Sequence, residues 1–258
     1  MKYSLIVDIG NSQIEIGLFD ENKFVDSIRF DTNRLKSEYD DKPLRDLIHK
    51  LDVKQEDIEG GLIFSVVPHL SRLVQIIIKG ETGVLLPLFD PSNLLEGLKA
   101  NIDNPKEVGQ DLLADIVGAI HFYGFPIVVT DLGTVTKNIV IDKNGIFQGV
   151  SFFPGGGLNA HALSERTDQL PELENITRPN CYYGKNTIDA MRSGIYYSHV
   201  ASVKQFMEKV DEDSGYKFKK VITGGYSNIF KDDFKEKDYI VDPQLVLKGM
   251  HLIYKNQK

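Results

Sequence analysis

Two aspartates, each followed by a glycine turn, stand far apart in the chain, and their surroundings suit the binding of phosphate and a cation. Asp8-Ile9-Gly10-Asn11-Ser12 runs through Gln13, Ile14 and Glu15 into Ile16-Gly17-Leu18-Phe19-Asp20. Asp131-Leu132-Gly133-Thr134-Val135-Thr136 runs into Ile139-Val140-Ile141-Asp142. Each follows an apolar β-type run, Ser4–Val7 and Ile127–Thr130, and apolar residues alternate after each turn. Both therefore read as strand, tight turn, strand. Glycine lets backbone N–H groups approach anionic oxygens, the small polar side chains add donors, and the aspartate can hold a hydrated hard cation. One such turn alone would read as an ordinary β-hairpin. Two of them favour a duplicated nucleotide-binding core. Asp111 is a further candidate, in the first turn of a helix expected from Gly109 to Tyr123, where the helix dipole favours an ionised carboxylate. A solvent-facing acid at a helix start is the plain alternative.

The elements that must hold these residues follow from periodicity. The first hairpin continues through Lys23–Phe30, giving three antiparallel strands. A helix is expected over Pro43–Leu51, with Leu44, Leu47, Ile48 and Leu51 on one face. Gly60–Val67 reads as a buried strand stopped by Pro68. The next helix carries Leu70, Leu73, Val74 and Ile77, and short strands and loops fill Thr82 to Glu107. The second half restarts at Pro126–Asp131. Helices are expected over Leu158–Arg166 and Ile188–Met207, the latter with Tyr196, Val200, Val203 and Met207 on one stripe. Taken alone, Gly155-Gly156-Gly157 after Pro154 looks like a phosphate loop. No linker-like segment parts the halves, so an interface and a ligand crevice between them are expected.

Bulk properties exclude several classes. A chain of 258 residues, 41% hydrophobic and 26% charged, is an ordinary globular composition. The net charge of −7 and the lack of a basic cluster argue against nucleic acid or an anionic membrane as partner. The single cysteine, Cys181, permits no internal disulfide and no cysteine metal cage, so a reducing compartment is expected. The opening residues run straight into a strand without a signal-peptide layout, and no apolar run is long enough to span a bilayer. The expected location is the cytoplasm. The six histidines show no paired ligand spacing.

An ordered series of short motifs covers nearly the whole chain. It comprises Asp8–Ser12, Asn104-Pro105-Lys106-Glu107-Val108-Gly109-Gln110-Asp111, Asp131–Thr134 and Pro154-Gly155. Leu170-Pro171, Gly184–Thr187 with Ala190-Met191 and Ser193-Gly194, and Thr223-Gly224-Gly225 complete it. In this series the chain resembles the type III pantothenate kinases, members of the acetate kinase/Hsp70/actin-like superfamily that includes the Bvg accessory factor proteins. The resemblance implies an α/β fold of two similar actin-like ATPase halves (ribonuclease H-like), residues 1–122 and 123–258, with a nucleotide cleft between them. It implies phosphorylation of pantothenate by ATP, the first step of coenzyme A biosynthesis, in a cytoplasmic homodimer with an interface near the Ile188–Met207 helix. By the same resemblance Asp8, Ile9, Gly10, Asn11, Ser12, Gln13, Ile14 and Glu15 cradle the ATP phosphates. Asp8 reaches Mg²⁺ through water, Thr134 contacts ATP, and Asp131 binds a monovalent cation, K⁺ or NH₄⁺. Asp111 is the general base, and Gly109, Gln110, Asp111, Leu112 and Thr187 contact the acceptor.

The chain departs from the family pattern on the acceptor side. Leu112 stands where the residue after the base is Arg, and Asp115 where Asn is usual. At i,i+4 on one helix face, Asp111 and Asp115 repel unless a cation or proton intervenes. A family Tyr is Ile102 here or is absent, Lys137 stands for Thr, and Arg192 for Gln. Lys137 or Arg192 could return a cation to the pocket, and either also reads as a plain surface residue. The alternative function is a paralogue that binds nucleotide as a regulator, or phosphorylates another small hydroxylated acceptor.

Overall fold

Alternating apolar residues in the first thirty positions build a three-stranded meander. β1 (Tyr3–Ile9) pairs antiparallel with β2 (Gln13–Asp20), and β2 with β3 (Lys23–Asp31). The chain is described by a computed structural model over residues 2–21, 23–35, 41–173 and 175–257. After α1 (Lys42–His49), β4 (Ile58–Ser65) returns parallel to β1, and the sheet order is β3-β2-β1-β4. α2 (Pro68–Thr82) starts at Pro68, whose fixed φ suits a first helical turn, and stops at Gly83 in the left-handed conformation. The short α3 (Ser92–Glu96) and α4 (Gln110–Tyr123) follow.

β5 (Ile127–Leu132), β6 (Val135–Ile141) and β7 (Phe147–Pro154) then repeat the meander. α5 (Gly156–Glu165) and the long α6 (Thr187–Ser214) lead to β8 (Lys219–Thr223), which runs parallel to β5 as β4 runs parallel to β1. α7 (Ser227–Phe230), β9 (Tyr239–Val241) and α8 (Leu245–Gln257) complete the order, and the second sheet reads β7-β6-β5-β8-β9. Two sheets with the same meander-plus-parallel-strand topology are what a duplicated core requires.

The contacts divide the chain into two compact units. The first comprises Met1–Leu98, Asn104–Gly118 and Val246–Lys258, and the second Lys99–Asp103 with Ala119–Leu245. A single cut after residue 122 would leave α8 with the second half, whereas nearly all of α8 packs in the first unit. There, one sheet face buries Leu5, Val7, Ile9, Ile14 and Ile16 against Leu44 and Ile48 of α1 and Leu70, Val74 and Ile77 of α2. The opposite face buries Ile6, Phe19 and Phe64 against Ala114 of α4 and Leu247 and Met250 of α8. α8 and α4 meet at Gly249: a Cβ there would lie 2.0 Å from the Ala114 carbonyl oxygen. In the second unit, α6 contributes Tyr196, Val203 and Met207 to a core with Val128, Leu132, Ile222 and Phe230. Among the described residues no helix is long and apolar enough to cross a membrane.

Candidate active site

In the first unit the β1–β2 turn is closed by its own backbone. Gly10 N–H donates to the Gln13 carbonyl at 2.9 Å, and a Cβ on Gly10 would sit 3.0 Å from that oxygen. Thr32 straps the turn from beyond β3: its hydroxyl donates to the Gly10 carbonyl (2.9 Å) and its N–H to the Ser12 carbonyl (3.0 Å). The turn is thereby a fixed loop with Asn11 and Ser12 at its tip. Ile9 and Ile14 are fully buried, so only their backbone can serve a ligand. Glu15, expected among the phosphate-cradling residues, is held by β3: its Oε1 accepts from Ser27 Oγ (2.8 Å) and pairs with Arg29 Nε (3.1 Å). Asp8 lies opposite Glu15 in the strand register and, by alternation from Ser4 and Ile6, on the α4–α8 face. One half-buried carboxylate beside small polar side chains fits Mg²⁺ carried on a nucleotide, since Mg²⁺ binds through one or two carboxylates plus phosphates rather than a protein cage.

The start of α4 is tied to the same end of this sheet. Ser65 pairs in register with Ile9, one residue past Asp8, and the Ser65 N–H donates to Gln110 Oε1 at 3.0 Å. Asp111 follows, half-buried, and its Oδ1 accepts the Leu112 N–H at 2.8 Å. A Cβ on Gly109 would meet Asp111 Oδ1 at 2.7 Å, so glycine leaves the room that carboxylate occupies. Asp8, Gln110 and Asp111 are therefore gathered where the parallel strands β1 and β4 end, the usual ligand side of an α/β sheet. Leu112 differs from expectation: it is 4% exposed and belongs to the core, so only its backbone faces the turn. Asp115 is fully buried one turn on.

In the second unit Asp131 ends β5 between two cross-strand neighbours, Lys137 on β6 and Thr223 on β8. Lys137 Nζ lies 2.6 Å from Asp131 Oδ2, with side-chain exposures of 11% and 8%. Gly224, at φ +91°, closes the other side, since a Cβ there would come 2.2 Å from Asp131 Oδ1. Lys137 is thus neither a surface residue nor a cation open to an acceptor. A hairpin centred on Thr134 places residue 131 opposite 137, so the pairing was readable from spacing and was missed. Gly155 packs tightly on this turn: its N–H donates to the Thr134 carbonyl at 2.9 Å, and a Cβ would strike the Gly133 and Thr134 oxygens. On the opposite sheet face Thr136 Oγ1 is hydrogen-bonded to His199 Nε2 of α6 at 2.8 Å. Burial there pushes the His199 imidazole down to about 4.

Thr187 is exposed at the first turn of α6, and the cap is its neighbour: Asn186 Oδ1 accepts the Asp189 N–H at 2.9 Å. Arg192, one turn on, pairs with Asp189 at 3.3 Å, while its Nε is buried without a hydrogen bond. The α6 stripe of Tyr196, Val203 and Met207 is interior rather than presented outward. Cys181 is exposed, and no cluster of three metal-ligating side chains occurs among the described residues.

Comparison with known proteins adds four findings. A model of the type III pantothenate kinase family matches residues 4–209. The type III pantothenate kinase of Agathobacter rectalis is 35% identical over 257 residues, covering 98% of this chain and 97% of that one. The Acidaminococcus fermentans (R)-2-hydroxyglutaryl-CoA dehydratase component A superposes with a TM-score of 0.55 at 14% identity, over all of both chains. The activator of the Clostridium difficile 2-hydroxyisocaproyl-CoA dehydratase, solved with bound ADPNP, gives 0.52 at 14% identity, over 99% and 97% of the two chains. These structures share the actin-like ATPase fold, and at such identities the likeness extends to fold alone.

Proposed function

The chain belongs to the type III pantothenate kinases, and from that membership we propose how its own residues carry phosphate from ATP to pantothenate. The protein is an ATP-dependent phosphotransferase acting at the first step of coenzyme A biosynthesis. The backbone of the β1–β2 turn, with Asn11 and Ser12, receives the ATP phosphates, and Asp8 would hold the Mg²⁺ that accompanies them. Mg²⁺, when bound, supplies positive charge against the phosphates. Thr134 contacts ATP. Asp111 takes the proton from the primary hydroxyl of pantothenate as that oxygen bonds to the γ-phosphorus. The bond from the γ-phosphorus to the bridging oxygen breaks, and ADP leaves. The helix start favours the ionised carboxylate that a base must present.

The observation carrying this reading is the anchoring of Asp111 at the end of β1 and β4 by Gln110 and Gly109. For the acceptor carboxylate, Leu112 and Lys137 are both unavailable, one in the core and one paired with Asp131. Arg192, on the same helix as Thr187 and with its Nε buried without a hydrogen bond, is the cation we assign to it. A cytoplasmic homodimer completes the reading, to be checked by light scattering. Mass spectrometry should find 4'-phosphopantothenate and ADP in equal amounts, and Arg192→Met should raise the pantothenate KM by roughly ten- to a hundredfold. ADP released independently of pantothenate would sink the acceptor, and an unchanged KM would remove Arg192.

A further inference from the structure

The family likeness implies a monovalent cation at Asp131, and the residues around Asp131 do not fit one. Its Oδ2 is 2.6 Å from the Lys137 ammonium, and both side chains are about nine-tenths buried. Its Oδ1 lies under the backbone of Gly224. The pairing is set by register: residues 131 and 137 are direct cross-strand partners, so both side chains leave the same sheet face a few ångströms apart. A free K⁺ contacting Asp131 would sit beside an ammonium where little water can screen the two like charges. A lysine head group is chemically an ammonium ion on a tether, with three donors for oxygen acceptors.

We infer that Lys137 holds the monovalent-cation position at Asp131 from within the chain, so that this kinase works without K⁺ or NH₄⁺. Being covalently supplied, the charge costs no binding entropy and cannot be washed out. It lies at the foot of the β5–β6 turn that carries Thr134, where it fixes the carboxylate and the turn together. Lys137 acts through Asp131 and the turn, as a positioning residue. The inference rests on the proposed role of Thr134 toward ATP. Lys137 replaces the K⁺ or NH₄⁺ that the family resemblance implies at Asp131.

Two measurements on the full chain test it. The first is the pantothenate kinase rate in KCl, NH₄Cl, NaCl and tetramethylammonium chloride at matched ionic strength. The second is the calorimetric affinity for a non-hydrolysable ATP analogue with Mg²⁺ in the same salts. For the native protein both should vary by less than about twofold. Lys137→Thr leaves Asp131 buried without its partner and opens room for an ion. That variant should lose roughly tenfold or more in nucleotide affinity in tetramethylammonium and regain it in K⁺ or NH₄⁺, a coupling of ordinary size. Lys137→Arg, keeping the charge, should stay insensitive to the salt. Native protein stimulated roughly tenfold by K⁺ in either measurement would overturn the inference. So would a folded Lys137→Thr variant that binds nucleotide normally without K⁺, or one that neither K⁺ nor NH₄⁺ revives. Should Lys137→Thr fail to fold in every salt, the native and Lys137→Arg measurements decide. If pantothenate proves not to be the acceptor, the calorimetric arm still reads the cation position, so the two failures stay distinct.

Discussion

Asp111 makes the sharpest claim at the scale of single residues. Its Oδ1 already accepts one backbone N–H, and the glycine before it leaves space that no other side chain would leave. Asp111→Asn keeps the shape and hydrogen-bonding reach but cannot take a proton. It should leave nucleotide affinity within about twofold and lower kcat by roughly 10²–10⁴-fold, the usual yield of a positioned base. A variant with native kcat would remove Asp111 from the role. Much of this neighbourhood could be read from the chain, because Asp8-x-Gly10 and Gly109-Gln110-Asp111 are short-range patterns. What could not be read is which polar groups neutralise one another. Glu15 lies beside the nucleotide turn in sequence, yet its charge is met by Arg29, fourteen positions away along the meander. Leu112 in place of an arginine suggested a weakened acceptor pocket, but burial makes it core.

At the scale of elements, the packing of α6 on the second sheet has a measurable acid sensitivity. His199 is neutral in the folded protein because burial holds its imidazole down to about 4, against an ordinary value of 6.5. The unfolded chain therefore binds more protons between those two values, and stability rises with pH through that window. The contribution is full above about 6.5 and is lost as pH falls toward 4, by at most about 3 kcal/mol. His199→Gln can keep a hydrogen bond to Thr136 without titrating. Urea midpoints at pH 7 and pH 5 should differ less in that variant than in native protein, and equal slopes would discharge His199. Elements were legible where one period dominates, as in both meanders, α2 and α4. α6 runs further than its apolar stripe suggests, because Gly215 in the left-handed conformation, not the end of the stripe, stops it. α8 gave no comparable signal. Its Gly249 interrupts the helix-forming run, and the reason for that glycine, the close backbone of α4 at Ala114, lies far away in sequence.

At the scale of the whole molecule, the duplication was legible because each glycine turn heads a meander and each meander is followed by a strand parallel to its first. The two units are not equal in how the chain writes them. Apart from the short piece Lys99–Asp103, the second is one continuous stretch, Ala119–Leu245, whereas the first needs Val246–Lys258 to cover the Ile6, Phe19 and Phe64 face of its sheet. This ordering matters while the protein is being made. As the ribosome releases the chain, the first unit's strands emerge early but leave that apolar face uncovered until α8 appears, after the whole second unit has been synthesised. On stalled nascent chains carrying an added C-terminal linker that fills the exit tunnel, the later-made unit should therefore reach protease resistance once residue 245 is out. The earlier-made unit should reach it only once residue 257 is out, and early resistance of residues 2–98 would refute this order. Until then the uncovered sheet is the surface a chaperone would meet, so synthesis rate and chaperone supply should govern the yield of this kinase.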